Sequence, residues 1–285
     1  MKTWTAFVLT LCMIFMMAVP GSASTFTDAH GNVIELDDSL EAYTNVLLAG
    51  NSDAARKGET NLGDLWTDAL RWFAVSSEIN AYFEEDDVTA GNTVIDADAD
   101  HIVALWNGGN LRADVAEGKF GTEQLAEVLP YPNKVAVVYM TGAQLLEAIE
   151  AASQALPYTE ETAAACASLM QVSGLKYTVD TSKPYDLKEP YGDHWFTAAS
   201  LSRVTIEEVN GQPLEMDDLY AVITSNANFN GMDSSYIFSA AAEEHEKSTI
   251  TTAVVRDVVW MYIASELNNV IGDPYTESQG RITVR

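Results

Sequence analysis

The sequence predicts an α/β (α+β) fold in which helices cover mixed β-sheets. Three observations lead to this prediction. The apolar run at 101–106 has the length of a buried strand. Residues 61–75 repeat apolar side chains at helical spacing. A valine-rich strand at 134–140 leads into a helix predicted over 142–155. A chain of 285 residues, 47% of them hydrophobic, can bury a substantial core as one large domain or two small ones.

The N-terminus predicts export. Lys2 precedes an apolar stretch from Ala6 to Val19 and the small residues that end at Ala23, so we expect a signal peptide over 1–23. The apolar stretch is short for a membrane span, although an uncleaved anchor is the alternative. We expect no membrane span once the signal is removed. Cys166 is then the remaining thiol, so an intrachain disulfide is not expected.

The net charge limits the classes of partner. Fifteen Lys and Arg face 42 Asp and Glu, which gives a formal net charge of −27 at pH 7. Such a surface repels polyanions, so we expect neither nucleic acid nor an anionic membrane as a partner. High solubility is the simplest consequence of this charge.

The remaining elements are predicted in chain order. Residues 24–49 form an N-terminal extension with a hairpin over 25–36, and the main domain covers 50–285. Asn61 is expected to cap the helix over 61–75, with Asp64 in its first turn, where the helix dipole favours negative charge. Thr141 and Gln144 predict a capping box for the helix over 142–155. The later predictions are a strand at 172–180, a hairpin-like pair at 204–209 and 220–225, a helix at 251–268 and a last strand at 281–285.

Candidate ligand-binding residues lie in the stretch 106–133, around which the other predictions are arranged. Two adjacent glycines, Gly108 and Gly109, permit a tight turn and a close approach of backbone to ligand. Arg112 ends that turn with a guanidinium suited to carboxylate or phosphate. Tyr131 lies between two prolines that stiffen its backbone, and Asn133 adds an amide. Taken alone, these residues also fit two loops that only connect strands, and that interpretation is the simpler one.

The turn at Asn107–Arg112 and the loop at Leu129–Asn133, with further motifs, resemble the C-terminal domain of secreted bacterial 5'-nucleotidases. That family has an Asn-Gly-Gly-Gly-Ile-Arg turn and a Pro-Phe-x-Asn loop at the separation found here. Further motifs follow in the family's order over roughly residues 50–285. The matching segments are Asn107–Arg112 with Gly118, Leu129–Asn133, Arg56–Asp68, Thr141–Glu150, Gln171–Leu175 and Gly280–Ile282. Compared with the family's motifs, the stretches 157–170 and 183–200 are longer than needed and are interpreted as insertions.

The resemblance implies a site that binds a nucleoside or nucleotide. Tyr131 would stack on the base and Asn133 would meet the edge of the base. Arg56 and Arg112 would meet phosphate, while Asn107, Gly108 and Gly109 would form the turn beside the ligand. A later segment, 225–236, would supply Asp233 for the sugar hydroxyls.

A second stacking ring is harder to place. In strict register the family's position falls on Ala227, and Phe229 follows two residues later. If the segment is a strand, these two side chains share a face, so Phe229 is assigned to the base. The alternative is that Phe229 packs in the core. Two glycines of the family's motif are also replaced here, by Met232 and Ser234.

No residue is identified as catalytic, and no metal or cofactor is expected. The family's metallophosphatase domain carries histidine-rich motifs that are not recognisable in this chain, whose four histidines are scattered. We therefore expect a secreted ligand-binding domain, located outside the cell, in the periplasm or in the cell envelope. One alternative is a hydrolase that acts with a separate metallophosphatase chain. The other is an extracellular interaction module that has lost ligand binding.

Overall fold

The computed structural model describes residues 24–27, 33–36, 41–159, 162 and 169–285. The strands are β1 Ser24–Thr27, β2 Val33–Leu36, β3 Glu41–Thr44, β4 Ile102–Asn107, β5 Gly118–Gly121, β6 Lys134–Thr141, β7 Met170–Ser173, β8 Leu175–Val179, β9 Leu187–Tyr191, β10 Trp195–Ala198, β11 Val204–Val209, β12 Leu219–Ser225, β13 Thr249–Val254, β14 Val270–Ile271 and β15 Ile282–Val284. The helices are α1 Ser52–Lys57, α2 Asn61–Val75, α3 Glu85–Thr89, α4 Thr122–Val128, α5 Gly142–Ala152, α6 Asn226–Phe229, α7 Tyr236–Glu244 and α8 Val255–Ser265. Short 3-10 helices cover Glu78–Tyr82, Ala99–His101 and Gly108–Asn110.

The chain divides into two compact units between Glu41 and Ala42. In the first unit β1 and β2 pair antiparallel, with Ser24 opposite Leu36, as the hairpin prediction for 25–36 required. The signal peptide predicted over 1–23 lies outside the described residues.

A five-stranded mixed sheet forms the centre of the second unit. Its strand order is β13-β6-β12-β4-β7. β12 runs parallel to β4 and antiparallel to β6, so parallel and antiparallel pairs meet on the same central strand. Helices cover both faces, which confirms the predicted α/β class with mixed sheets.

Residues of β4 show how the two faces are covered. Trp106 and Ala104 belong to the core cluster that includes α2 and α8, whereas Val103 and Leu105 belong to the cluster that includes α5 and α7. This alternation follows from the period of two along a strand. On the first face the buried rings of Trp106 and Trp66 lie 5.8 Å apart.

Two further three-stranded sheets extend the unit. β11, β8 and β15 form one of them, in which β15 runs parallel to β8 and β11 antiparallel to it. The other has the order β14-β3-β5. The β9–β10 hairpin, which lies inside the predicted insertion 183–200, pairs antiparallel as a separate two-stranded sheet.

The residue that caps the N-terminus of α2 differs from the prediction. α2 covers 61–75 as predicted, but Thr60 is the N-cap, and its hydroxyl accepts a hydrogen bond from the Gly63 amide at 3.0 Å. Asn61 instead accepts from the Ala49 amide at 2.8 Å and donates to the Leu47 and Tyr275 carbonyls. Its side chain therefore ties two distant segments together, which sequence spacing does not reveal. The capping box at the start of α5, formed by Thr141 and Gln144, is confirmed.

The hairpin-like pairing of 204–209 with 220–225 is wrong. β11 pairs with β8, whereas β12 lies between β6 and β4 in the central sheet. The Asn210-Gly211 turn is present, since both residues have positive φ, but the chain leaves it for a different sheet. Burial gives the physical reason: six consecutive residues of β12, Tyr220–Ser225, are buried, as a strand paired on both sides requires.

The predicted helix over 251–268 begins later than expected. Residues Thr249–Val254 form β13, and α8 starts at Val255. Three of the six β13 residues are threonine, whose branched Cβ favours a strand over a helix. The strand predicted at 172–180 is two strands, β7 and β8. Gly174 interrupts the extended backbone between them, because its φ is 74°.

In the part of the chain that the structure describes, no helix is both long enough and apolar enough to cross a bilayer.

Candidate functional site

Three loops meet at one edge of the central sheet because of its topology. β4 and β12 run parallel, so their carboxyl ends lie at the same edge. β6 runs antiparallel to β12, and its first residues lie at that edge as well, since Val135 pairs with Ser225. The loops are 107–112 after β4, 129–133 before β6 and 226–233 after β12. The carboxyl ends of sheet strands are the usual place for ligands in α/β folds.

Asn107 joins the first loop to the third. It is the last residue of β4 and is 1% exposed. Its side-chain oxygen accepts a hydrogen bond from the Gly109 amide at 3.0 Å, and its Nδ2 donates to Oδ2 of Asp233 at 2.8 Å. The side chain therefore fixes both the glycine turn and the orientation of the carboxylate.

Gly108 and Gly109 are buried beneath the site and do not line it. A Cβ on Gly108 would lie 2.3 Å from the carbonyl oxygen of Ala55 in α1. The Gly108 amide donates to the Leu169 carbonyl at 2.8 Å. The backbone that Gly108 approaches closely therefore belongs to the protein itself.

Tyr131 and Asn133 occupy the second loop with opposite degrees of burial. Tyr131 is 52% exposed, and the guanidinium carbon of Arg112 lies 5.8 Å from the centre of its ring. Asn133 is 8% exposed and donates to Oδ1 of Asn226 at 3.4 Å. The Oδ1 of Asn133 is buried and has no hydrogen-bond partner among the described residues.

The third loop begins with a short helix and ends in an unusual turn. The Oδ1 of Asn226 accepts a hydrogen bond from the Lys134 amide at 3.0 Å, which holds this loop against the start of β6. Gly231 and Asp233 have φ values of 73° and 54°. A left-handed conformation costs energy for a residue other than glycine, so the surroundings of Asp233 must hold it there.

These loops enclose a cavity of about 480 Å³. Four predicted site residues line it: Arg112, Tyr131, Asn133 and Asp233. The cavity is also lined by residues that were not predicted or were not assigned a role, which are Asn110, Pro132, Asn226, Ala227, Asn230 and Met232. Asn226 carries a sequence signal, because it directly follows six consecutive buried residues of β12. The others depend on how the loops fold.

Phe229 is not brought into this group. It packs, half-buried, against the core cluster that includes α7, and it does not line the cavity. The assignment assumed a strand, but Asn226–Phe229 is a helix. At 100° per residue, positions 227 and 229 point in roughly opposite directions, so Ala227 faces the cavity and Phe229 faces the core.

Arg56 lies in the last turn of α1 and does not line the cavity. Its Nε is buried without a hydrogen-bond partner among the described residues. Its charge nevertheless acts on the Asp233 carboxylate. The structure thus places Arg56 within electrostatic range of the cavity and out of direct contact with it.

Opposing effects set the protonation of Asp233. Burial raises the pKa of its carboxyl above the ordinary value, and this effect is the largest. The hydrogen bond from Asn107 and the positive charges of Arg112 and Arg56 lower the pKa, but they offset burial only in part. Among the described residues, no group of three or more His, Cys, Asp or Glu side chains is arranged to hold a metal ion.

Comparison with known proteins identifies the family. The family model for the C-terminal domain of 5'-nucleotidases matches residues 41–243, so the chain belongs to this family. The trifunctional nucleotide phosphoesterase protein YfkN of Bacillus subtilis is 29% identical over 202 residues, which are 70% of this chain and 11% of that protein. The cell wall protein Lmo0130 of Listeria monocytogenes is 31% identical over 208 residues, 70% of this chain and 20% of that protein.

Solved structures of nucleotidases share the fold of this chain. The 5'-nucleotidase precursor of Thermus thermophilus superimposes with a TM-score of 0.60 and 26% identity, covering 87% of this chain and 39% of that one. The NAD nucleotidase of Haemophilus influenzae shares the fold at a TM-score of 0.55 and 13% identity, covering 92% and 48%. The chain therefore spans between about a tenth and a half of the length of these relatives.

Proposed function

We propose that the domain binds a nucleoside or nucleotide in the cavity at the sheet edge. The base lies against Tyr131 with Asn133 at its edge, and Asp233 accepts hydrogen bonds from the sugar hydroxyls. Arg112 contacts an attached phosphate, and Arg56 supports it from a greater distance. Asn107 and the two glycines beneath it hold this arrangement without touching the ligand.

The observation that carries the proposal is the Oδ1 of Asn133, which is buried and has no hydrogen-bond partner in the part of the chain that the structure describes. Leaving such an acceptor without a partner costs about 1–3 kcal/mol. Asn133 also lines the cavity, so a donor on a ligand can satisfy that oxygen. The exocyclic amino group or ring N–H of a nucleobase is a donor of this kind.

Tyr131 supports the same proposal. A large aromatic side chain that is 52% exposed in a concave site gains little from its surroundings. Stacking of a base on such a ring contributes about 1–3 kcal/mol. Arg112, near the same ring, adds the positive charge that an anionic substituent requires.

Catalysis by this domain is not part of the proposal. Of the residues that line the cavity, Asp233 carries the one carboxylate, and we assign it to the sugar. The second candidate function is phosphate ester hydrolysis together with a separate metallophosphatase chain. It is favoured by the names of the relatives, which include a nucleotide phosphoesterase and a 5'-nucleotidase. Loss of ligand binding, the third candidate, is supported by Met232 and Ser234 in place of the family's glycines.

We also propose that the protein is exported. The apolar N-terminal stretch supports this, as does the similarity to a protein described as a cell wall protein.

Binding can be tested by thermal unfolding of the purified protein with adenosine, AMP and inorganic phosphate. A ligand at 100 times its Kd stabilises the folded state by about 2.7 kcal/mol. We expect adenosine and AMP to raise the midpoint, Tyr131→Ala to abolish the shift and Tyr131→Phe, which keeps the ring, to retain it. No shift with any nucleoside or nucleotide contradicts the proposal. Phosphate release from AMP with added divalent metal by this protein alone contradicts the absence of catalysis.

A further inference from the structure

The turn that carries Asp233 depends on contacts from outside its own loop. Gly231 and Asp233 both have left-handed φ values, 73° and 54°. Within the loop, the Gly231 amide donates to the Asn228 carbonyl at 2.8 Å and the Met232 amide to the Ala227 carbonyl at 3.1 Å. These bonds leave the carbonyl of Gly231 free to accept from elsewhere.

Tyr191 provides that contact from the β9–β10 hairpin. Its hydroxyl donates a 2.5 Å hydrogen bond to the Gly231 carbonyl. The fit is close, because a Cβ on Gly231 would lie 2.4 Å from the Tyr191 hydroxyl oxygen. Glycine at 231 therefore serves both the positive φ and the approach of the tyrosine.

The hairpin is itself anchored to two helices. The ring of Tyr191 lies 5.5 Å from that of Tyr236 in α7. The Tyr236 hydroxyl donates to Glu147 of α5 at 2.8 Å and accepts from the Ala198 amide of β10 at 3.1 Å. The Phe196 amide donates to Gln154, just beyond α5, at 3.1 Å. The position of Tyr191 is therefore set by α5 and α7.

We infer that Tyr191 is a positioning residue for ligand binding: through its bond to Gly231, the β9–β10 hairpin holds the turn at 231–233 so that Asp233 can recognise the sugar hydroxyls of a ribonucleoside. Asn107 bonds the Asp233 carboxylate directly, while Tyr191 bonds the backbone two residues before it. This inference rests on the proposed function. It assigns the segment 183–200, an insertion relative to the family motifs, a part in sugar selectivity.

The test compares adenosine with 2',3'-dideoxyadenosine, which lacks both sugar hydroxyls, by calorimetry. We expect the unchanged protein to bind adenosine at least about tenfold more tightly, as a hydrogen bond to a charged group implies. Tyr191→Phe keeps the ring contact with Tyr236 and removes the hydroxyl. It should bring the affinity ratio close to one and leave the affinity for the dideoxynucleoside unchanged.

Tyr185→Phe is the matched control. Tyr185 lies in the same segment, and its hydroxyl donates to the Phe196 carbonyl at 2.9 Å and lies beside the Tyr236 hydroxyl, so its loss removes a neighbour of Tyr236 and keeps the Tyr191–Gly231 bond. The ratio should be unchanged in this variant. Gly231→Ala places a methyl against the hydroxyls of both Tyr191 and Ser239 and strains the left-handed turn. It should also lower the ratio, and it tests the turn itself, whereas Tyr191→Phe tests the tyrosine.

The outcomes separate the two proposals. A folded Tyr191→Phe variant that keeps the full adenosine preference overturns the role of Tyr191 while the binding function stands. A fall in affinity for both ligands by the same factor also overturns it, because that result indicates general damage to the site. If the unchanged protein binds neither ligand, the binding function fails and this inference fails with it.

Discussion

The side-chain amide of Asn107 donates a 2.8 Å hydrogen bond to the carboxylate of Asp233, across 126 residues of sequence. Asn107 ends one strand of a parallel pair, and the loop that bears Asp233 follows the other strand. The bond therefore connects the fold of the central sheet to the chemistry of the cavity. Since it also lowers the pKa of Asp233, it favours the ionised form that can accept hydrogen bonds.

A double-mutant cycle on Asn107→Ala and Asp233→Ala tests this connection. Asn107 is buried, so we expect its substitution to reduce the free energy of unfolding by about 1–3 kcal/mol. Urea denaturation of both single variants and the double variant should give a coupling energy of about 1 kcal/mol. If the two substitutions have additive effects on the free energy of unfolding, the coupling between Asn107 and Asp233 is contradicted.

The stability of the protein should fall as pH rises from about 4 to 8 because of Asp64. Burial, opposed by the charge of Arg281 and assisted by that of Glu59, raises the pKa of Asp64 to about 8. In this window the folded protein holds a proton that the unfolded chain has released. The free energy of unfolding then falls by up to about 1.4 kcal/mol per pH unit.

Asp64→Asn removes this titration, so its stability relative to the unchanged protein should increase steadily between pH 5 and pH 8. Urea denaturation at each pH unit measures the difference. Asp217→Asn changes an exposed carboxylate and is the control. Parallel stability profiles for Asp64→Asn and the unchanged protein rule the explanation out.

Gly108→Ala should destabilise the protein although it changes no residue that lines the cavity. The new methyl would lie 2.3 Å from the Ala55 carbonyl oxygen, and a helical backbone cannot move aside easily. Overpacking of this kind costs about 1–3 kcal/mol. Gly58→Ala, where a Cβ meets nothing within 4 Å, should be close to neutral in the same thermal unfolding experiment. Equal effects of the two substitutions contradict a packing role for Gly108.

Glu150 should be among the most sensitive positions outside the site. It is fully buried, and its carboxylate accepts hydrogen bonds from the backbone amides of Arg203 and Val204, the latter at 2.9 Å. Glu150→Ala leaves these amides unpaired in the core, which costs about 3 kcal/mol. Glu150→Gln keeps an acceptor and should retain most of the stability in urea denaturation. A neutral Glu150→Ala variant contradicts this assignment.

Local features of the fold could be predicted well from the sequence, because they depend on short-range periodicity. The bounds of α2 and the capping box of α5 are examples. The partners of β11 and β12 could not be predicted, since strand pairing depends on burial along the whole sheet. Asn61 shows the same limit: its choice of side-chain partners follows from contacts as far away as Tyr275.

Cavity-lining residues could be predicted where glycine or proline in the sequence defines the loop that carries them, as for Arg112 and Tyr131. Prediction failed where local backbone geometry decides the direction of a side chain. Phe229 is the clearest case, because a single helical turn at 226–229 reverses the face that a strand would present. Met232 lines the cavity for a similar reason, because the left-handed turn at 231–233 leaves its side chain exposed there.

Trp106 gives the molecule a built-in optical reporter. The indole is fully buried beside Trp66 and is joined by one peptide bond to Asn107, the residue that holds Asp233. Tryptophan emission responds to small changes in nearby dipoles and in distance to a neighbouring indole. If the cavity binds a ligand as proposed, we expect the emission of Trp106 to change on titration, and a Trp106→Phe variant separates its signal from that of the other tryptophans among the six in the sequence.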